Sequence, residues 1–160
     1  MADITTHYQD HSLLIRVSDA IHGASAPELF VNLVEILSEA ERSEDVRSIV
    51  LAGYQGFLPT LELPAALSAA DAQAWIEGWH SVLDAVDTGS KPVTAVLEGG
   101  VSAMGFALAL ACERAVASRS FGLNRPQRTF PNARTQLPVR VAISTTARGL
   151  KRSAYVKVSQ

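Results

Sequence analysis

The chain has 160 residues, of which 48% are hydrophobic and 19% are charged. A chain of this length can bury roughly two-thirds of its unfolded surface, and this composition excludes an intrinsically disordered protein. Its single cysteine, Cys112, excludes an internal disulfide and suits a reducing compartment, so we expect a cytoplasmic protein.

The net charge of −2 hides an asymmetry along the chain. Residues 1–120 hold 6 basic and all 16 acidic side chains, whereas residues 121–160 hold 8 basic and no acidic ones. We therefore divide the chain into a core, residues 1–123, and a basic, proline-containing tail, residues 124–160. The tail arginines follow no helical phase and have no interleaved aromatics, so a nucleic-acid or other acidic-polymer partner is the least favoured of the possible functions.

No secretory signal and no membrane span are expected. The first ten residues lack both a basic flank and an apolar run. Residues 92–112 are long enough to cross a bilayer, but Glu98, Gly99 and Gly100 interrupt them, and a carboxylate inside a membrane is costly.

Strands and helices alternate along the core. The patterns predict strands at residues 11–17, 48–52, 93–96 and 114–118, helices behind Ser25 and over about 70–86 and 103–112, a loop at 53–64 and a turn at 121–123. This alternation predicts an α/β fold with a mostly parallel sheet covered by helices. Residues 139–143 are compatible with a strand, and the closing residues 147–160 show no clear preference.

The stretch from Lys91 to Glu113 is the centre of the pattern. A strand leads through Gly99 and Gly100 into a helix of small residues, so backbone N–H groups gather at a helix N-terminus. Such a place can bind an anion or a developing oxyanion. The alternative is an ordinary core strand and helix.

In its order of segments, residues 11–123 resemble the crotonase superfamily of enoyl-CoA hydratases and isomerases. The segments are EDVRSIVLAG, a loop with Gly56 and Phe57, a tryptophan-bearing helix, KPVTAVLEGG, FALALACERAVAS and FGL. The resemblance implies a ββα spiral core that is shortened at its C-terminus. It also implies a possible homo-oligomer, although the helices that pack the family trimer are missing. The tail is then a shortened family segment, a truncated product or the result of an altered reading frame.

The resemblance also implies a substrate and a site. Family members bind an acyl-CoA thioester, with no tightly bound cofactor, and hold its carbonyl oxygen between two backbone N–H groups. When the segments are matched position by position, the two donors correspond to the backbone N–H groups of Leu61 and Met104. Each such donor typically stabilises the transition state by ~3 kcal/mol. The segment of Phe57, Pro59 and Leu61 would contact the coenzyme A thioester.

Two departures from the family pattern predict that ordinary hydration fails. The positions of the two catalytic glutamates hold Ala107 and Arg125, and neither can position water or carry a proton as a carboxylate does. Two hypotheses follow: enolate-type chemistry through the Leu61 and Met104 amides, or a non-catalytic member that acts as a binding or assembly partner.

Three other carboxylates are candidate acids or bases. Asp84 follows His80 by one helical turn, in the helix that supplies the base of chlorobenzoyl-CoA dehalogenase, although we favour a solvated face for both. Glu98 follows the central strand and could line the site, but hydrogen bonds to turn amides are the simpler role. Glu62 holds the usual acid position of the first loop, where capping of the next segment is the simpler role.

Other chemistries fit less well. Ser102 lies between Gly100 and Gly105 like a hydrolase nucleophile, but the second glycine comes one residue late. His7 and His11 lie in coil or at a strand start without partner carboxylates, so no metal site is expected. Walker and dinucleotide-binding glycine patterns are absent from the sequence.

Overall fold

A computed structural model describes residues 4–17, 26–54, 56–58, 61, 63–64 and 66–123, and the backbone of residues 143–147 and 150–154. The strands are β1 (Ile4–Gln9), β2 (Ser12–Val17), β3 (Ser48–Gly53), β4 (Gly56–Phe57), β5 (Val93–Leu97), β6 (Gly100–Val101), β7 (Arg114–Ala117), β8 (Gly122–Leu123), β9 (Ile143–Ala147) and β10 (Leu150–Ala154). The helices are α1 (Ala26–Arg42), α2 (Ala69–Thr88) and α3 (Ala103–Ala111).

The core is built from repeated ββα units. In the β3–β4, β5–β6 and β7–β8 pairs, the first strand joins a five-stranded sheet of order β1-β2-β3-β5-β7, and the second joins a three-stranded sheet of order β4-β6-β8. Helix α2 follows the β3–β4 pair, and α3 follows the β5–β6 pair. The predicted α/β, crotonase-like spiral is therefore confirmed.

The large sheet is parallel except for its first strand. β2, β3, β5 and β7 pair in parallel, whereas β1 pairs antiparallel with β2. We expected coil or a strand start around His7, and a full six-residue strand lies there instead. Its turn, Asp10-His11, has positive φ at both residues, as a tight hairpin requires. Tyr8 Oη and His11 Nδ1 both donate to the Asp45 carbonyl, which attaches the hairpin to the loop before β3.

Helices α1 and α2 cover the buried face of this sheet. The apolar stripe that helical spacing predicts for α1 is buried at Leu29, Phe30, Leu33, Leu37 and Ala40, whereas its Ile36 is half-buried. Phe30 meets Trp75 edge-on at 5.0 Å between ring centroids and Trp79 at 5.5 Å. The tryptophans are thus core residues, and they join the two helices through aromatic contacts.

The C-terminal end of α1 is held by the segment that enters β5. Lys91 Nζ donates to the carbonyl oxygens of Ala40 and Ser43, the place where a cation best satisfies helix carbonyls. Glu41 accepts hydrogen bonds from both the amide and the hydroxyl of Ser90. These contacts fix the start of β5 and so the position of the turn that follows it.

Several predictions need correction or concern residues outside the described ranges. The turn predicted at 121–123 is wrong, because Gly122 and Leu123 form β8 and pair with Gly100 and Val101. Within residues 147–160, Leu150–Ala154 forms a strand, which pairs antiparallel with β9. Ser25, behind which the first helix is predicted, and most of the strand predicted at 139–143 lie outside the described residues.

None of the helices in the described ranges combines the length and apolarity that a membrane crossing needs.

Candidate oxyanion site between two loops

The central turn joins β5 to β6 and then to α3. Gly99 has φ 64°, a left-handed conformation that a side chain would strain. Its N–H donates to Ser120 Oγ at 3.2 Å, and its carbonyl accepts from the Gly122 N–H at 2.9 Å. The turn is therefore fixed by the segment that leads into β8.

Ser102 begins α3 as its N-cap. Its Oγ accepts a hydrogen bond from the Gly105 N–H at 2.9 Å, and the residue is 1% exposed. A serine that is buried and bonded to the helix amides acts as a cap rather than as a nucleophile. The result agrees with the poor fit of the hydrolase pattern.

Met104 is the second residue of α3, so its N–H is one of the early amides that have no acceptor inside the helix. Within the described part of the chain, no hydrogen bond uses this N–H. The Met104 side chain is half-buried and packs against the core. Met104 thus offers a donor at the N-terminus of α3, a helix that is partly buried.

Gly105 brings α3 against the loop after β4. A β-carbon added to Gly105 would lie 2.5 Å from the Phe57 carbonyl oxygen and 3.1 Å from Leu58 Cβ. No larger residue fits without movement, because the closest atom belongs to the backbone. This close approach brings together the two segments that carry the predicted donors.

The loop that carries Leu61 is folded tightly on itself. Leu58 has φ 48°, which is rare for a bulky side chain and costs of order 1 kcal/mol or more. The Leu61 N–H donates to the Leu58 carbonyl at 3.3 Å, and both side chains are buried. The first predicted donor is thus engaged in a long, weak hydrogen bond inside its own loop.

The remaining predicted residues are distributed as follows. Ala107 lies on α3, half-buried against the core, and Phe57 is 1% exposed. Asp84, His80 and Glu98 are exposed, as expected for the solvated face we favoured for the α2 pair. Pro59, Glu62 and Arg125 lie outside the described residues. The Gly99 N–H donates to Ser120 and not to Glu98.

Sequence reasoning missed two features of this region. The left-handed Leu58 has no signal in the sequence, because leucine rarely adopts that conformation. The strand character of β4, β6 and β8 was also missed, since two-residue strands show no period.

As for metals, the described residues contain no group of three or more His, Cys, Asp and Glu side chains placed to hold an ion.

A match to a family model decides which family the chain belongs to. The model of the enoyl-CoA hydratase/isomerase family matches residues 13–135, which is most of the chain. The chain belongs to the enoyl-CoA hydratase/isomerase family. No curated protein matches it.

Solved structures agree with this membership of the enoyl-CoA hydratase/isomerase family. An enoyl-CoA hydratase from Polaromonas sp. JS666 is 28% identical with a TM-score of 0.63, and the match covers 75% of this chain and 49% of that one. An enoyl-CoA hydratase from Bacillus anthracis is 21% identical with a TM-score of 0.64 over the same shares, which shows the fold alone. HypX from Aquifex aeolicus, in complex with tetrahydrofolic acid, is 26% identical with a TM-score of 0.64, over 76% of this chain and 22% of that one. The chain thus spans about half the length of the hydratases it matches.

Proposed function

We propose that this protein binds an acyl-CoA thioester and holds its carbonyl oxygen with the backbone N–H groups of Met104 and Leu61. The single observation that supports the proposal is the close approach of Gly105, next to Met104, to Phe57 and Leu58, which precede Leu61 in its loop. Family membership supplies the substrate class. The positive end of the α3 dipole favours the negative charge that develops on a thioester oxygen.

The two donors enter this proposal with different roles. Met104 is the ready donor, since its N–H has no acceptor among the described residues. Leu61 must exchange its 3.3 Å bond with Leu58 for the bond to the thioester oxygen. A charged oxygen is a stronger acceptor than a neutral carbonyl, so the exchange is favourable once the charge develops.

The same proposal includes the loss of ordinary hydratase activity. Ala107 cannot ionise, and Arg125 carries the opposite charge to the glutamate it replaces. Neither residue can act as the acid or base that hydration requires. We also propose that the protein is cytoplasmic, because a single cysteine such as Cys112 suits a reducing compartment.

A second candidate is a non-catalytic member that binds the thioester or assembles with a partner. The observation in its favour is the internal bond of Leu61, together with the buried side chains of Leu58 and Leu61. On this alternative the loop serves packing only. Binding without any enolate formation would then be expected.

Calorimetry with crotonyl-CoA, and with free CoA as the ligand that lacks the thioester carbonyl, tests the proposal. We expect crotonyl-CoA to bind more tightly than CoA, with no loss of the enoyl absorbance. Hydration at rates typical of hydratases would overturn the assigned roles of Ala107 and Arg125. Equal affinity for the two ligands would overturn the oxyanion site. Exchange of the crotonyl α- or γ-protons for deuterium in D2O would separate enolate chemistry from simple binding.

A proline substitution isolates the Met104 donor. Met104→Pro removes this N–H within the first helical turn, where proline is tolerated, and Ala103→Pro is the matched control that leaves it in place. We expect Met104→Pro alone to lose the preference for crotonyl-CoA over CoA. The same loss in both variants would assign the effect to altered helix geometry and contradict the proposed donor.

A further inference from the structure

The described residues also form an open cavity on the exposed face of the β1–β2 hairpin. It has a volume of about 360 Å³ and is lined by Thr5, Thr6, His7, Leu14, Arg16 and Tyr54. None of these residues belongs to the proposed oxyanion site.

Strand register explains why these side chains meet. Thr5 lies directly opposite Arg16, and His7 lies opposite Leu14, in the antiparallel β1–β2 pair. Arg16 pairs in parallel with Ala52, and Tyr54 follows two residues later. Because alternate residues share a face, these side chains gather on one side of the sheet, while Ile15 points into the core at 0% exposure.

Contacts within the cavity orient two of its polar groups. Tyr54 Oη and Thr5 Oγ1 lie 2.8 Å apart in a hydrogen bond. The Arg16 guanidinium lies 5.9 Å from the centroid of the Tyr54 ring, at the outer range of a cation–π contact. If Thr5 donates to Tyr54, the phenol O–H is free to donate into the cavity.

The charge of the lining selects for anions. Arg16 is permanently charged, and the six lining residues include no carboxylate. No described residue forms an ion pair with Arg16. A guanidinium presents a fork of N–H donors that matches an oxyanion in two parallel hydrogen bonds.

We propose that this cavity is a phosphate site, which takes inorganic phosphate or the phosphate group of a small ester. The guanidinium of Arg16 binds two phosphate oxygens, and the Tyr54 hydroxyl, which accepts from Thr5, donates to a third. A carboxylate carries one charge on two oxygens, whereas a phosphate carries up to two charges on four oxygens, so a phosphate makes the stronger and more numerous bonds with the guanidinium and a hydroxyl. Leu14 forms the apolar part of the lining, against which the organic part of an ester can lie.

The test is an NMR titration of the full chain with inorganic phosphate, with acetate as the carboxylate arm. We expect saturable shifts at the amides of β1, β2 and Tyr54 with phosphate, and weaker ones with acetate. Arg16→Gln should weaken phosphate binding about 10-fold or more, since bonds to charged groups are the strong ones. Arg47→Gln is the matched control: Arg47 is exposed, lies outside the cavity, and gives the same change in net charge.

Two further variants sharpen the result. Tyr54→Phe should weaken binding less than Arg16→Gln, because the ring remains and one hydroxyl is lost. Arg16→Lys should restore only part of the affinity, because lysine lacks the fork. Three outcomes would overturn the proposal: no saturable shift, equal weakening by Arg47→Gln and Arg16→Gln, or acetate binding as tightly as phosphate.

Discussion

Gly105 and Phe57 are in such close contact that a single added methyl group would press on the Phe57 carbonyl oxygen at 2.5 Å. The contact joins the N-terminal turn of α3 to the loop after β4. It therefore links the packing of the fold directly to the geometry of the proposed site.

Replacing Gly105 by alanine should destabilise the protein. Alanine gains about 1 kcal/mol of helix propensity, but a clash with backbone costs about 1 to 3 kcal/mol, so the clash prevails. The matched control is Gly122→Ala, where nothing lies within 4 Å of the added carbon. Urea unfolding measures both variants. A Gly105→Ala protein as stable as the parent would show that the loop can withdraw without cost.

The same substitution should also weaken crotonyl-CoA binding, because the loop that carries Leu61 must move away from Met104. Calorimetry on folded Gly105→Ala protein measures this effect. Unchanged affinity would mean that the contact serves stability only.

Truncating Phe30 should remove the link between α1 and α2. Phe30 is 1% exposed and contacts Trp75 and Trp79, so Phe30→Ala should cost about 3 to 5 kcal/mol of unfolding free energy. Val31→Ala is the control on the same helix, since Val31 is 56% exposed and its change should stay within about 0.5 kcal/mol. Chemical unfolding followed by tryptophan fluorescence compares the two. Similar losses would contradict the assigned core.

The contact between Glu41 and Ser90 predicts a pH dependence. Hydrogen bonding from the Ser90 side chain, aided by the backbone N–H groups of Ser90 and Lys91 and by the Lys91 charge, lowers the pKa of Glu41 below 4.5. The unfolded state therefore binds the proton more readily. The stabilisation is fully present above pH 4.5 and is lost as the pH falls through the folded pKa.

Glu41→Gln should accordingly lower stability at neutral pH by a few tenths of a kcal/mol, as is usual for an exposed contact, and by less under acid conditions. Glu39→Gln, on an exposed neighbour in α1, is the control. Unfolding at a series of pH values measures the difference between the variants. A gap that widens as the pH falls would reverse the assigned sign.

Cys112 should be unreactive in the folded protein. Burial raises the pKa of its thiol to about 12, and its Sγ–H donates to the Leu108 carbonyl at 3.3 Å. The reactive species is the thiolate, which is scarce at neutral pH under these conditions. Ellman's reagent should titrate one thiol in guanidinium chloride and almost none in native buffer. Rapid labelling of the native protein would contradict the buried placement.

The sequence by itself determined the helices, the parallel strands β2, β3, β5 and β7, and the family. The apolar stripe of α1 and the β-branched run from Val93 are local periodicities, and a local pattern is readable without knowing what it packs against. The order of these segments carried the resemblance that the family match then confirmed.

Only the tertiary structure decided how these segments meet. The two-residue strands β4, β6 and β8 exist because they pair with each other, and the hairpin strand β1 is held by its pairing with β2. The left-handed Leu58, its bond to the Leu61 amide and the meeting of Arg16 with Tyr54 depend on strand register and on contacts between distant residues. Such contacts leave no local pattern in the chain, because the residues that make them are chosen by what lies opposite.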